Sequence, residues 1–201
     1  MSNHLIVFVK NPVKGKVKTR LARDIGNAGA LKIYQALVDK TFLACLNVSA
    51  HVNLYYSEKV TEDDLWSEIA DNKYKQNGSN LGIRMKNAFK NSFQQNSKKA
   101  CIIGSDCYEI SEEIIGQAFD LLENSDVVIG PSQDGGYYLL GLRFMIPQLF
   151  ENKPWSQTNL LDETLSELKQ MNLNVKLLQE LNDIDTIEDI VQPSLIELLN
   201  Q

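Results

Sequence analysis

The sequence predicts a single α/β domain built on a mostly parallel sheet sandwiched by helices, and three observations carry that expectation. The chain has 201 residues, roughly one domain at about 150 residues per domain. Short apolar runs of strand length alternate along it with segments whose apolar residues recur at helical spacing, the pattern of strand and helix units that feed a parallel sheet. No linker, repeat or low-complexity tract breaks the alternation, so residues 1–201 read as one domain.

The elements follow in order. Residues 5–9 form an apolar run that reads as a buried first strand, and residues 28–46 carry Leu31, Tyr34, Leu37, Val38 and Leu46 in helical spacing. Residues 51–56 and 101–104 repeat the strand signal, and between them Leu81, Met85, Ala88 and Phe89 mark a second helix. Ser111, suited to accept a hydrogen bond from the free N–H groups of a helix start, precedes a helix through Ile114, Ala118, Leu121 and Leu122. Strands over 126–130 and 137–142 are joined by an Asp-Gly-Gly turn. The remainder reads as a helix over 160–171, a strand over 175–178 and a closing helical pair, 187–191 and 195–199, divided by Pro193.

Composition narrows the function. Hydrophobic residues make up 43% and charged residues 23%, which argues against disorder, collagen or a disulfide scaffold. Twenty Lys and Arg against 26 Asp and Glu give a net charge of −6, against the basic excess of a nucleic-acid binder. No apolar run approaches the about 18 residues of a membrane span. The first residues read as a core strand and not as a signal peptide, so the cytoplasm is the expected address. Cys45, Cys101 and Cys107 are odd in number and show no Cys-x-x-Cys spacing, which fits a reducing compartment. With only His4 and His51 present, a three-imidazole metal site is excluded. Chemistry is left to carboxylates and cations.

In a sheet of this kind ligands lie beyond the carboxyl ends of the strands, so the loops there are the candidates. After the first strand, six of the 20 basic residues fall between Lys10 and Arg23. Lys10, Lys14, Gly15, Lys18 and Arg20 suit a phosphate cradle, with a solvated basic loop as the plain alternative. Gly78 and Gly82 precede or open a helix whose free N–H groups can receive a phosphate or a nucleobase, with Arg84 beside them; a turn with an ordinary helix start explains the glycines equally well. Asp106 ends the strand over 101–104 as a candidate Mg²⁺ or Mn²⁺ ligand or a turn cap, and Asp185 is the second hard ligand on offer or a helix N-cap. In an extended chain Asp183 points the same way as Asp185. Ser132, Asp134, Gly135, Gly136 and Tyr137 form either a hairpin turn or a seat for a hydroxyl-rich acceptor against backbone amides. Trp155, with Ser156 and Thr158, offers a stacking face and hydroxyls, or a packed helix-entry loop.

The ordered set Phe8-Val9-Lys10-x-Pro12-x-x-Gly15-x-Val17-Lys18-Thr19-Arg20-Leu21, Leu81-Gly82-x-Arg84-Met85, Gly104-Ser105-Asp106-Cys107, Gly130-Pro131-Ser132-x-Asp134-Gly135-Gly136-Tyr137-Tyr138 and Asp183-Ile184-Asp185-Thr186 resembles the small stand-alone glycosyltransferases described as selenodomain-associated or DUF-type. These are similar to the GT-A, nucleotide-diphospho-sugar transferase superfamily. The resemblance implies a Rossmann-like GT-A sheet, a nucleotide-sugar donor, a small-molecule acceptor and Mg²⁺ or Mn²⁺. It implies phosphate contacts from Lys10, Lys14, Gly15, Lys18, Arg20, Gly78, Gly82 and Arg84, and metal contacts from Asp106 and Asp185. It implies acceptor contacts from Ser132, Gly135, Gly136, Tyr137 and Trp155, with Asp134 and Asp106 catalytic. The chain departs from the pattern at Tyr108, where Pro is usual, at Gln157, where Thr is typical, and at Gly104, which leaves Asp106 without an Asp-x-Asp partner. Guanylyltransferases and molybdenum-cofactor nucleotidyltransferases resemble it in the first loop and the Asp-Thr ending. Nucleotidyl transfer to a phosphorylated acceptor is therefore the second expectation, and a nucleotide-binding module without turnover the third.

Overall fold

The computed structural model describes residues 2–155 and 157–199. Seven strands form one sheet, β1 (Asn3–Val9), β2 (His51–Tyr56), β3 (Asn72–Lys75), β4 (Lys99–Ile103), β5 (Val127–Pro131), β6 (Tyr137–Leu142) and β7 (Val175–Leu177), in the order β3-β2-β1-β4-β6-β5-β7. All neighbours are parallel except β6, which runs antiparallel to β4 and β5. The link from β5 to β6 is too short for a crossover, so a hairpin is the connection open to it. This is the mostly parallel α/β sheet expected from the sequence.

Alternation along the strands divides the core. Leu5, Val7 and Val9 of β1 pack with Leu54 and Tyr56 of β2 on one face, under α1 (Ala22–Cys45) and α3 (Glu112–Leu121). Ile6 and Phe8 join Ile102, Ile129 and Leu140 on the other, under α2 (Leu81–Gln94) and α4 (Leu160–Gln170). Burial on both faces is why β1 and β4 read as continuous apolar runs. A third cluster of Leu21, Ile33, Leu37, Ile184, Ile190 and Leu195 ties α1 to the chain end and to α5 (Pro193–Leu199).

Three expectations change. β3 reads as part of a polar segment because three of its four residues are polar and it lies on the sheet edge. The helix predicted from residue 28 begins at Ala22 and kinks at Gly26, whose φ is 72°. Residues 187–191 form a turn and not a helix: the Asp189 carboxylate accepts from the backbone N–H groups of Asp185 and Thr186 at 2.9 and 2.7 Å, holding the chain in a capped loop. No helix among the described residues is long and apolar enough to cross a membrane.

Candidate active site

The carboxyl ends of β1, β4 and β5 open on one cleft of about 400 Å³. Lys10 lines it after β1, the turn from Gly104 to Cys107 after β4, and Asp134 and Gly136 after β5. Arg84 and Trp155 face in from the α2 side, and Asp183 and Asp185 from the chain end.

Tyr34 of α1 fastens the first of these loops. Its fully buried hydroxyl accepts from the Lys10 N–H at 2.7 Å, donates to the Lys10 carbonyl at 2.9 Å and lies 3.1 Å from Ser105 Oγ. Burial, with Asp106 adding to it, pushes this phenol up to about 12, so it stays a donor at neutral pH. Beside it, Asn11 Oδ1 accepts from the Glu58 and Lys59 amides at 3.0 and 3.2 Å and clamps the loop after β2. The end of β1 is thus fixed on both sides, while Lys10 itself stays exposed and free to meet a ligand.

The carboxylates meet because residues 181–185 cross two turns. Leu181 bridges Ser132, the Leu181 N–H donates to the Pro131 carbonyl at 3.1 Å, Asp183 bridges Cys107, and the Ile184 N–H donates to the Asp106 carbonyl at 2.9 Å. Lys18 Nζ then lies 2.5 Å from Asp106 Oδ1 and 3.1 Å from Asp185 Oδ1, and Arg20 reaches Asp185 Oδ2 at 3.5 Å. Burial pushes the Asp106 carboxyl up, but Lys18 and Lys10 outweigh it and hold the group below its usual range. Burial alone would lower Lys18, and the two aspartates raise it instead. Asp183 is pushed up to about 7 by burial and then by Asp106, Asp134 and Asp185, against the pull of Lys18.

Among the described residues no group of three or more His, Cys, Asp or Glu side chains is set to hold a metal ion. The donor set of Asp106 and Asp185 nonetheless suits a hard cation. Asp106 Oδ1 is buried without a hydrogen bond, and its ion pair is with Lys18, whose ammonium stands between the two carboxylates.

The opposite wall departs from one expectation. The turn after β5 keeps its amides for itself: the Gly135 N–H donates to the Ser132 carbonyl at 3.0 Å and the Gly136 N–H to Asp134 Oδ1 at 2.9 Å. Gly135 holds φ 85°, and a Cβ there would stand 2.0 Å from the Thr158 carbonyl oxygen, so chain packing already requires the glycine. Ser132 is buried, and its Oγ has no hydrogen-bond partner among the described residues. What this turn shows to the cleft is Asp134, Gly136 and Tyr137.

At the start of α2, the Ile83 N–H is taken by Asn80 Oδ1 at 2.9 Å, and the Gly78 carbonyl accepts from Arg84 Nε at 3.0 Å. Gly82 lies under Trp155: a Cβ at Gly82 would be 2.6 Å from the indole and from the Phe150 carbonyl. Of the site residues read from sequence, Lys10, Arg84, Asp106, Asp134, Gly136, Tyr137, Trp155 and Asp185 line the cleft, and Lys18 touches two of them. Lys14, Gly15, Arg20, Gly78, Gly82, Ser132 and Gly135 lie outside its lining. Ser156 falls outside the described residues. Sequence reasoning passed over Tyr34, which looks like any apolar-face helix residue, and Gln76, which lines the cleft while its amide donates to the Tyr55 carbonyl at 3.1 Å. The two-residue spacing of Asp183 and Asp185 was the available signal for Asp183.

A family model described as an uncharacterized protein conserved in bacteria, DUF2064, matches residues 43–157. A comparison with curated proteins finds no match. Among solved structures the chain is similar to a "putative nucleotide-diphospho-sugar transferase" from Desulfovibrio desulfuricans G20, at 29% identity and a TM-score of 0.85, over 100% of this chain and 95% of that one. It shares its fold with the inositol-1-phosphate CTP transferase from T. maritima, at 14% identity and a TM-score of 0.62, over 98% and 94% of the two chains. It also shares it with Rv0371c from Mycobacterium tuberculosis H37Rv in complex with manganese, at 11% identity and a TM-score of 0.53, over 100% of both chains.

Proposed function

The chain belongs to the DUF2064 family, and on that footing we propose that it is a transferase moving the sugar of a nucleotide-diphospho-sugar onto a hydroxyl of a small-molecule acceptor, with residues 1–201 acting as one domain. One observation carries the reading: the cleft's lining cations, Lys10 and Arg84, come from the loop after β1 and from α2, and the turn between β5 and β6 brings none. That turn presents Asp134, Gly136 and Tyr137, and no Lys or Arg occurs between Lys99 and Arg143. Lys153, close to Trp155 in sequence, is committed to an ion pair with Glu167. A diphosphate has partners in those cations, whereas a phosphorylated acceptor at the turn would meet the Asp134 carboxylate. The nucleotide-diphospho-sugar transferase likeness at 29% identity supports the same donor class.

In this reading Lys10 and Arg84 take up the charge that builds on the leaving diphosphate, as cations aimed at developing charge do, with Lys18 behind them on Asp106 and Asp185. Asp106 and Asp185 would hold Mg²⁺ or Mn²⁺, which when bound supplies further neutralisation of that diphosphate. Asp134 spends one carboxylate oxygen on the Gly136 N–H and keeps the other to orient an acceptor hydroxyl and take its proton. Trp155 gives the sugar ring an apolar face. Exposed Lys14 and Arg20 extend the basic surface beyond the cleft, which favours a second reading, nucleotidyl transfer from a nucleoside triphosphate to a phosphorylated acceptor.

The test is product identity. The protein is incubated with labelled nucleotide-sugars, and separately with nucleoside triphosphates plus phosphorylated acceptors, in Mg²⁺ or Mn²⁺. Release of nucleoside diphosphate with sugar transfer is the expected result. Pyrophosphate release that depends on a phosphorylated acceptor overturns it in favour of the second reading, and tight binding with neither product leaves a binding module.

A further inference from the structure

Lys18 is the one buried side chain among the six basic residues from Lys10 to Arg23. Its φ of 46° is left-handed, a conformation disfavoured for any residue with a Cβ. The surroundings that hold it there direct an ammonium, 2% exposed, onto Asp106 Oδ1 at 2.5 Å and Asp185 Oδ1 at 3.1 Å. The two carboxylates are far more open, 34% and 43% exposed, and both line the cleft, whereas Lys18 does not. An ion entering the cleft meets the exposed parts of the two carboxylates, while the ammonium holds Asp106 Oδ1, itself buried, from behind.

We propose that Lys18 is a resident counter-ion that competes with a divalent cation for the Asp106 and Asp185 oxygens, so that metal loading releases the ammonium toward the donor's diphosphate. The idea rests on the transferase reading for the diphosphate and on the carboxylate geometry for the competition. Mg²⁺ needs oxygen contacts at about 2.0–2.1 Å, and to gather both carboxylates it must draw them off the ammonium that each of them contacts. A displaced ammonium left buried without a partner is costly, so the exchange is favourable when phosphate receives it. Four methylenes give Lys18 the reach for such a move, which the planar fork of an arginine would not reproduce. Metal alone should therefore bind weakly, and metal and diphosphate should bind together.

The experiment titrates Mn²⁺ into the full chain without nucleotide and follows loss of the free-ion electron paramagnetic resonance signal. Lys18→Met is expected to bind Mn²⁺ about tenfold more tightly than wild type, within the ordinary range of coupling between sites, and Lys18→Arg to stay near wild type. Lys10→Met controls for the general field, since Lys10 also acts on Asp106 without an ion pair to it, and should change affinity about twofold or less. Asp106→Asn in the Lys18→Met background should erase the gain. Equal affinity in wild type and Lys18→Met, equal gains from Lys10→Met and Lys18→Met, or no Mn²⁺ binding by any of them overturns the exchange. Thermal melts accompany each variant, and Lys18→Gln carries the same expectation if the methionine form fails to fold. Calorimetry with uridine and guanosine diphosphates on the wild type judges the donor reading separately: absence of binding sinks that reading, while the Mn²⁺ comparison still decides the competition.

Discussion

Replacing Tyr34 by Phe removes one oxygen and leaves the ring, so nearly all of the change falls on hydrogen bonds at the root of the cleft. The hydroxyl accepts from the Lys10 N–H, donates to its carbonyl and contacts Ser105 Oγ, at 2.7, 2.9 and 3.1 Å, with the side chain fully buried. A neutral hydrogen bond contributes about 0.5–1.5 kcal/mol net, and a buried group left without its partner costs about 1–3 kcal/mol. With the Lys10 peptide only partly buried, Tyr34→Phe should destabilise the fold by about 2–3 kcal/mol, which for a chain of this length lowers Tm by roughly 4–12 °C at 2–4 °C per kcal/mol. Calorimetric melts of wild type, Tyr34→Phe, Ser105→Ala and the double variant read the effect and its coupling. Ser105→Ala should cost less, about 1 kcal/mol, and the double variant less than the sum, because the two hydroxyls share one contact. Loosening Lys10 should also raise KM for the donor. The phenol is held at about 12, so the penalty should be the same from pH 6 to pH 9. A Tm within about 1 °C of wild type, or strictly additive variants, would refute the claim that Tyr34 joins the ends of β1 and β4.

Gly82→Ala places a Cβ 2.6 Å from the Trp155 indole and the Phe150 carbonyl. Since backbone cannot yield cheaply, Trp155 should be displaced, with a red-shifted tryptophan emission over the constant signal of buried Trp66 and a loss of about 1–3 kcal/mol; an unchanged spectrum would show that the contact relaxes elsewhere. Asp134→Asn keeps the oxygen that accepts from the Gly136 N–H but loses the base, so kcat should fall about 10²–10⁴-fold with little change in Tm; near-normal kcat would remove Asp134 from the chemistry. His4 is lowered below its ordinary value of 6.5 by burial and then by neighbouring His51. Its unfolded form takes up a proton first, so the associated stability is complete above about pH 6.5 and is lost as pH falls below it. Melts of wild type and His4→Gln between pH 5 and pH 7.5 should show the variant losing less Tm on acidification, and parallel curves would count against His4 as a contributor.

How far the sequence discloses such a molecule depends on the range over which each cause acts. β1, β4 and β5 are legible because burial on both faces demands uninterrupted apolar residues. β3 is hidden because an edge strand with Asn72, Lys73 and Lys75 needs only backbone pairing to β2. The turn at 187–191 has apolar spacing that suits a helix, yet the Asp189 carboxylate reaches back to the Asp185 and Thr186 amides, and the Ile190 and Val191 amides close tight turns onto the Ile187 and Asp189 carbonyls. At the site, the general location of Lys10, Asp106 and Asp134 follows from strand direction alone, since loops after parallel strands share one edge of the sheet. Their partners do not follow from it. Lys18 and Asp185 are 167 residues apart, and they meet because residues 181–185 bridge to both Ser132 and Cys107, a pairing that no periodicity announces. Glycines are ambiguous for a different reason. Gly82 and Gly135 satisfy the pattern of a ligand-binding loop, and the Trp155 ring and the Thr158 carbonyl each suffice to exclude a side chain there. A sequence records that a Cβ is missing, while only the packed structure identifies what takes its place. The same limit applies to Lys18: among six similar basic residues, burial against two carboxylates is what makes it the cation through which metal and diphosphate binding would be linked.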